Sequence, residues 1–222
     1  MGSSAAETLL PTVEVSFGTL WPAGDCHAVG VRLCLYCGSK AGTNVAYADA
    51  AREFGRTCAE RGVGLVFGGG SVGLMGLAAN AAMSAGGEVI GVITEQLVGA
   101  EVAHHGLTRL EVVATMHERK QRMVELAEGF VALPGGLGTF EEIFEAVTWQ
   151  QLHLHAHPCA LLNVNGFYDP LREFLAGATR HGFIRQEQHA QFIVVNSVNE
   201  LFERFAHFHP VRTEKWLTRQ RI

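Results

Sequence analysis

Seven short apolar runs separated by amphipathic stretches constrain this chain more than any other feature. The runs lie at 31–36, 63–67, 88–93, 110–114, 129–133, 159–163 and 192–195. Residues 45–61, 73–85, 116–127, 140–153, 167–181 and 197–207 carry apolar side chains at helical spacing. Strands that alternate with helices in this way are joined by crossovers rather than hairpins. Helical crossovers build a mostly parallel sheet covered on both faces, a three-layer α/β/α domain. Right-handed crossovers put every strand's C-terminal end on one edge, where such sheets bind ligands. Three glycine-rich turns fall on that edge: Gly38-Ser39-Lys40-Ala41-Gly42, Gly68 to Gly73, and Gly135 to Gly138.

The third turn carries the most chemistry. Pro134-Gly135-Gly136-Leu137-Gly138-Thr139-Phe140-Glu141-Glu142 follows the strand-like Phe130-Val131-Ala132-Leu133 and runs into apolar positions Ile143, Phe144, Val147 and Leu152. A glycine turn of this kind brings backbone N–H groups to a helix N-terminus, where the dipole also favours an anion. That is a phosphate seat. Glu142, read as belonging to the first helical turn, then lies where the sugar of a bound nucleotide would be, which points to chemistry at a glycosidic bond. Thr139-x-x-Glu142 also fits a capping box, in which the glutamate serves only the helix end. Three glycines within 135–138 exceed what a capping box needs.

Two further motifs accompany it. Gly68-x-Gly70-x-x-Gly73 matches a dinucleotide-binding fingerprint, and Glu95, 22 residues after Gly73, could bind a ribose. The fingerprint normally follows the first strand, however, and here it follows the second. Its neighbours instead make one composite phosphate and sugar pocket, drawing on Gly38, Ser39, Gly69 and Gly70. Arg119 and Lys120 open a helix after Ala114-Thr115, together with His117. Cations at a helix N-terminus oppose the dipole, so an anion or carboxylate is expected beside them. The alternative is an ordinary solvated helix face.

The three blocks, P-G-G-x-G-T-x-x-E at 134–142, Met116-His117-Glu118-Arg119-Lys120 and Gly68 to Gly76, resemble those of the LOG family, the cytokinin riboside 5′-monophosphate phosphoribohydrolases. They occur in the family's order, and the resemblance spans residues 31 to 208. It implies a Rossmann-like domain that hydrolyses the N-glycosidic bond of an N6-substituted AMP, giving free base and ribose 5-phosphate without a cofactor. By the same resemblance Arg119 and Glu142 are catalytic. Substrate contacts then fall at Glu101, Arg119, Lys120, Gly136, Leu137, Gly138, Thr139, Glu142 and Thr148, with Gly135 and Met116 beside them in the same blocks. A homodimer is also implied, and Phe140, Phe144, Trp149 and Leu152 form an apolar surface compatible with it. Core packing within one chain explains those four equally well. Two other readings stay open: a general AMP or GMP nucleosidase, and a non-catalytic nucleotide-binding module.

Family members often carry a lysine decarboxylase label, which the lysines do not support. A pyridoxal-phosphate enzyme needs a Schiff-base lysine. This chain has only Lys40, Lys120 and Lys215. The first two sit in phosphate-seeking turns, where ion pairing is the simpler role, and the third is in a basic tail.

Composition bounds the rest. With 222 residues, 48% hydrophobic and 18% charged, the chain fits one α/β domain at 31–210. Residues 1–30 lack helical or strand period and read as an extension, without the basic start and apolar core of a secretory signal. Residues 211–222 read as a basic tail. A net charge of −5 argues against a nucleic-acid surface, and no apolar run has membrane-spanning length. Five cysteines, an odd number, make no disulfide framework, and reduced thiols fit a cytoplasmic protein. Cys34-x-x-Cys37 allows a redox reading, but its place inside a strand favours plain burial. His153-x-His155-x-His157 resembles a metal cluster, yet no nearby cysteine or carboxylate completes it, so no metal is expected.

Overall fold

The computed structural model describes residues 30–98 and 103–210. Its strands are β1 (Arg32–Tyr36), β2 (Gly64–Phe67), β3 (Val89–Thr94), β4 (Arg109–Val113), β5 (Gly129–Ala132), β6 (Cys159–Leu162) and β7 (Phe192–Val195). Each lies within one residue of its expected bounds. The helices are α1 (Val45–Glu60), α2 (Gly73–Ser84), α3 (Glu95–Val98), α4 (Met116–Glu125), α5 (Leu137–Gln151), α6 (Asp169–Arg180), α7 (Gln186–Gln191) and α8 (Val198–Ala206). The short α3 and α7 have too few residues to show a helical period, and the sequence reading passes over them. The proposed extension and tail lie outside the described residues.

All strand pairs are parallel, in the order β4-β3-β2-β1-β5-β6-β7. The chain steps outward from β1 to β4, then returns to the other side of β1 as β5. A switch point therefore opens between β1 and β5. Alternation along each strand divides the core between two faces. Leu33 and Leu35 of β1 pack with Phe54 of α1, Ala78 of α2 and Leu201 of α8. Cys34 and Tyr36 pack with Met123 of α4 and Ile143 of α5 on the opposite face. Thus α1 and α5, which follow the two strands at the switch point, diverge to opposite sides of the sheet. Among the described residues no helix is long and apolar enough to cross a membrane.

The structure gives the cysteine pair and the histidine triplet definite surroundings. Cys34 and Cys37 are free and fully buried, and burial pushes both thiols above their usual range. A redox cysteine needs the opposite shift, so the redox reading fails. The histidine triplet is not a metal cluster either: no group of three His, Cys, Asp or Glu able to hold a metal occurs among the described residues. His153 is exposed at positive φ, while His155 and His157 stack on each other with ring centroids 5.6 Å apart.

His155 is instead a fixed neutral imidazole at the edge of the sheet far from the glycine turns. Its Nε2 lies 2.8 Å from the Ala146 carbonyl, and its Nδ1 accepts from the His157 N–H at 3.2 Å. One nitrogen must donate and the other accept, which only the neutral ring can do. Burial pulls its pKa down to about 4, against the hydrogen bond to Ala146. A base with a depressed folded-state pKa contributes stability that is complete above its unfolded value near 6.5 and is lost as pH falls towards 4. Melting curves between pH 7 and 4 should show that loss. In His155→Gln, which keeps a donor and an acceptor but does not titrate, the fall over this window should be shallower by about 1–3 kcal/mol. Parallel curves for the two proteins would refute this account.

Candidate active site

The C-terminal ends of parallel strands carry main-chain groups that no further ladder can pair, and at a switch point the flanking loops part to leave a crevice. Here the three glycine-rich turns meet around that crevice. The Gly38 N–H donates to the Pro134 carbonyl at 3.1 Å, and the Gly38 carbonyl accepts from the Leu74 N–H at 3.0 Å. One residue thus joins the turns after β1, β2 and β5. Gly73, at φ +62°, opens α2 against the Ser39 backbone so closely that any Cβ there would overlap it. The sequence places Gly38, Ser39, Gly69 and Gly70 in one composite pocket, and these contacts bring their turns together.

Helix α5 starts at Leu137, three residues before its expected start. Its N-cap is Gly136 and no side chain caps it. Thr139 is therefore inside the helix, buried, with its side chain filling the space that a Cβ on Gly135 would need. The capping-box reading of Thr139 and Glu142 is thereby excluded, because neither stands at the helix boundary. Glu142 lies beyond the first turn rather than in it. An uncapped terminus leaves the first-turn N–H groups without intrahelical partners and the positive end of the dipole open. Leu137 is 86% exposed there, and Gly136 and Gly138 are exposed too.

A genuine cap exists on α4. Thr115 Oγ1 accepts from the Glu118 N–H at 3.2 Å, while Glu118 Oε2 accepts from the Ala114 N–H at 3.0 Å. The Thr115-x-x-Glu118 spacing is the sequence signature of this cap. It fixes the start of the helix that carries the basic pair.

Arg119 is only 7% exposed. Its Nε donates to the Val92 carbonyl at 3.0 Å and its Nη2 to the Gly68 carbonyl at 3.2 Å. A Cβ on Gly68 would stand in the space that this guanidinium occupies, so a side chain there would displace it. The Nη1 edge faces Met116 Sδ at 3.4 Å and Glu142 Oε1 at 4.0 Å. The second distance is an ion pair too long for a hydrogen bond. The solvated-face reading of Arg119 fails: the Gly68 carbonyl just past β2 and the Val92 carbonyl within β3 anchor the cation, and it points at the one carboxylate singled out on α5.

Lys120 behaves differently. Its Nζ lies 2.5 Å from Glu141 Oε1 and 3.0 Å from Glu145 Oε1, one turn apart on α5. Burial would lower the pKa of this ammonium, but the two hydrogen bonds outweigh it and hold the pKa above the ordinary value. The carboxylates expected beside the α4 cations are therefore Glu141 and Glu145 for Lys120, and Glu142 for Arg119. Lys40 is exposed.

Not every residue named from the sequence gathers here. Thr148 is exposed, its hydroxyl donating to the Phe144 carbonyl at 2.7 Å, about 9 Å further along α5 than Glu142. Glu101 lies outside the described residues; the Gly68 to Gly70 turn is flanked by the next described stretch, where the His104 N–H donates to the Gly69 carbonyl at 3.0 Å. A cavity of about 610 Å³ lies elsewhere, between α6, α7 and β7. It has no glycine turn, and its Asp169 is already engaged by Asn163 and Arg172. The switch point, not that cavity, carries the convergent chemistry.

Comparison with known proteins shows the family and the fold. A family model described as "Possible lysine decarboxylase" matches residues 75–205. The rice cytokinin riboside 5′-monophosphate phosphoribohydrolase LOG is 45% identical over 179 residues, covering 81% of this chain and 74% of its own. Arabidopsis thaliana LOG1, of the same name, is 42% identical, covering 83% and 86%. The Rhodococcoides fascians cytokinin riboside 5′-monophosphate phosphoribohydrolase is 47% identical, covering 74% and 83%. Among solved structures, a molybdenum cofactor binding protein from Rippkaea orientalis superposes with a TM-score of 0.60 at 21% identity, covering 78% of this chain and 93% of that one. A molybdenum cofactor carrier protein from Chlamydomonas reinhardtii gives 0.58 at 22%, covering 78% and 94%. These two share the fold. On the identities to the three relatives, this chain belongs to the family of cytokinin riboside 5′-monophosphate phosphoribohydrolases.

Proposed function

We propose that this protein hydrolyses the N-glycosidic bond of cytokinin riboside 5′-monophosphates, N6-substituted AMP, to the free base and ribose 5-phosphate. The observation that carries the reading is the buried Arg119 aimed at Glu142 beside the uncapped N-terminus of α5. A protein that only binds phosphate gains nothing from a carboxylate held at its seat; a glycosidase needs one.

The chemistry follows from charge. The phosphate sits on the N–H groups of the Gly135–Gly138 turn and on the helix dipole, which places the ribose over Glu142. As the base departs, positive charge develops on the sugar in an oxocarbenium-like transition state. The Glu142 carboxylate stabilises that charge and orients the water that attacks C1′. Arg119 sets a fixed positive charge 4.0 Å from Glu142. Its Nε and Nη2 are engaged by main-chain carbonyls, so its role lies more with Glu142 than with forked recognition of the phosphate. Lys120 holds α4 to α5 through Glu141 and Glu145, and contacts substrate only from within that cluster. The reaction requires no metal or organic cofactor. Buried free thiols at Cys34, Cys37, Cys58 and Cys159 suit a reducing, cytoplasmic setting.

The same reading includes a homodimer. Phe140 and Phe144 pack against the core of their own chain, but Val112, Leu152 and Leu154 are more than half exposed. We expect sedimentation to give a dimer, and Leu152→Glu with Leu154→Glu to shift it towards monomer; a monomeric wild-type protein would refute this.

A substrate panel tests the function itself. N6-isopentenyladenine should be released from its riboside 5′-monophosphate faster than adenine from AMP. The riboside without phosphate should lose about 100-fold or more in kcat/KM, because the remote binding energy is gone. Equal rates on AMP indicate a general nucleosidase, and no release of ribose 5-phosphate indicates a binding module.

The paired residues are tested by substitution. Glu142→Gln should lower kcat by about 100-fold or more while the fold persists by circular dichroism. Arg119→Lys keeps the charge but cannot span the Val92 and Gly68 carbonyls and reach Glu142, so it should also impair kcat. Arg119→Ala should be more severe, weaken nucleotide binding and lower Tm. Wild-type turnover in Glu142→Gln or Arg119→Ala would remove that residue from the mechanism.

A further inference from the structure

The turn proposed to seat the phosphate hangs from Leu133 and Pro134, the two residues that follow β5. Pairing of β5 with β1 and with β6 ends at Ala132. Beyond it, the Leu133 N–H donates to the Tyr36 carbonyl at 3.0 Å and the Pro134 carbonyl accepts from Gly38 at 3.1 Å. Pro134 has no N–H to offer. The Leu133 carbonyl is met from another direction: the Tyr168 hydroxyl donates to it at 2.7 Å, 35 residues along the chain.

Tyr168 is built into place. It is 1% exposed, and burial raises its phenol above the usual range, so it remains a donor at any working pH. The Tyr168 N–H donates to Asn163 Oδ1 at 2.7 Å. Asn163, also buried, follows β6, and its Nδ2 donates to Asp169 Oδ1 at 2.9 Å and Asn196 Oδ1 at 3.3 Å. Its amide thus has partners on both its nitrogen and its oxygen. Between Asn163 and Tyr168 the chain turns through Asn165 and Gly166, both at positive φ, which returns the tyrosine towards the end of β5. The Tyr168 ring meets Phe140 of the first part of α5 edge-on at 6.3 Å and Phe167 at 4.9 Å. Phe167 in turn meets Tyr47 of α1 at 5.7 Å, and Tyr47 packs under Gly42 of the first glycine turn.

We propose that Tyr168 is a positioning residue for the phosphate seat: its buried hydroxyl fixes the Leu133–Pro134 peptide and thereby aims the Gly135–Gly138 turn and the N-terminus of α5. It touches no substrate. Its effect passes through one carbonyl and one ring contact to the N–H groups that hold the anion. The proposal rests on the reading of that turn as a phosphate seat.

The probe is ribose 5-phosphate, titrated calorimetrically at 15 °C into wild type, Tyr168→Phe and Leu175→Ala. Leu175 is buried on α6, where it lines the cavity between α6, α7 and β7, so its variant reports what general destabilisation does. Tyr168→Phe should bind about tenfold more weakly, the worth of one ordered hydrogen bond, with a matching rise in KM and kcat within about twofold. Leu175→Ala should lower Tm yet keep wild-type affinity. Unchanged affinity in Tyr168→Phe overturns the proposal, as does an equal loss in Leu175→Ala. Should Tyr168→Phe not fold, Phe140→Leu keeps the phenol but removes its ring contact; weaker binding there supports the proposal and wild-type binding overturns it. Failure of the wild-type protein to bind ribose 5-phosphate is a separate result, which removes the phosphate seat itself.

Discussion

The divergence of β1 and β5 is the constraint on which the rest of this structure depends. The two strands are parallel neighbours, but the helices that follow them go to opposite faces of the sheet. Their main chains must therefore separate just past the last ladder bond. The gap is closed by main-chain contacts rather than by side chains: Gly38 bonds the Pro134 carbonyl on one side and Leu74 on the other. Side chains at Gly38, Gly73 or Gly135 would push these strands of backbone apart. Glycine is needed here for close approach.

A buried cation is the second constraint. Removing a guanidinium from water is costly unless its charge and its donors are met. Arg119 meets this with two main-chain carbonyls, of Val92 in β3 and of Gly68 just past β2, and a carboxylate at 4.0 Å. The carbonyls make the arrangement rigid, and the carboxylate makes it chemical. Lys120, the next residue, ties α4 to α5 through Glu141 and Glu145, so the helices that carry Arg119 and Glu142 are bridged one residue away from the pair. Adjacent residues on one helix thus divide the labour. One cation sits inside and faces the site, and the other spans the two helices at the surface.

The fold alone does not decide the function. Proteins named for carrying or binding molybdenum cofactor share this architecture at 21–22% identity. What distinguishes a hydrolase from a carrier on such a sheet is the chemistry placed at the switch point, and function belongs to the site rather than to the scaffold. The same applies to the lysine decarboxylase description of the family model. One candidate lysine is engaged by two glutamates and another is exposed, and neither has the setting of a Schiff-base lysine.

Sequence by itself determined the strands, the six longer helices, the parallel sheet and the meeting of the glycine turns. These follow from local periodicity and from the handedness of crossovers, which act over short stretches of chain. It also singled out Arg119 and Glu142, through a basic pair at a helix start and a glutamate after a glycine turn. Tertiary structure alone decided what those residues touch. Thr139-x-x-Glu142 reads as a cap until α5 is seen to begin at Leu137, because a flexible glycine leaves the helix start undetermined by local signals. Arg119 and Lys120 look equivalent until one is buried against Val92 and Gly68 and the other is bridged to Glu141 and Glu145. Tyr168 carries no local mark at all. Its role depends on a carbonyl 35 residues away, brought to it by the pairing of β5 with β6 and by a turn through two positive-φ residues, and no pattern within one segment encodes a contact between two.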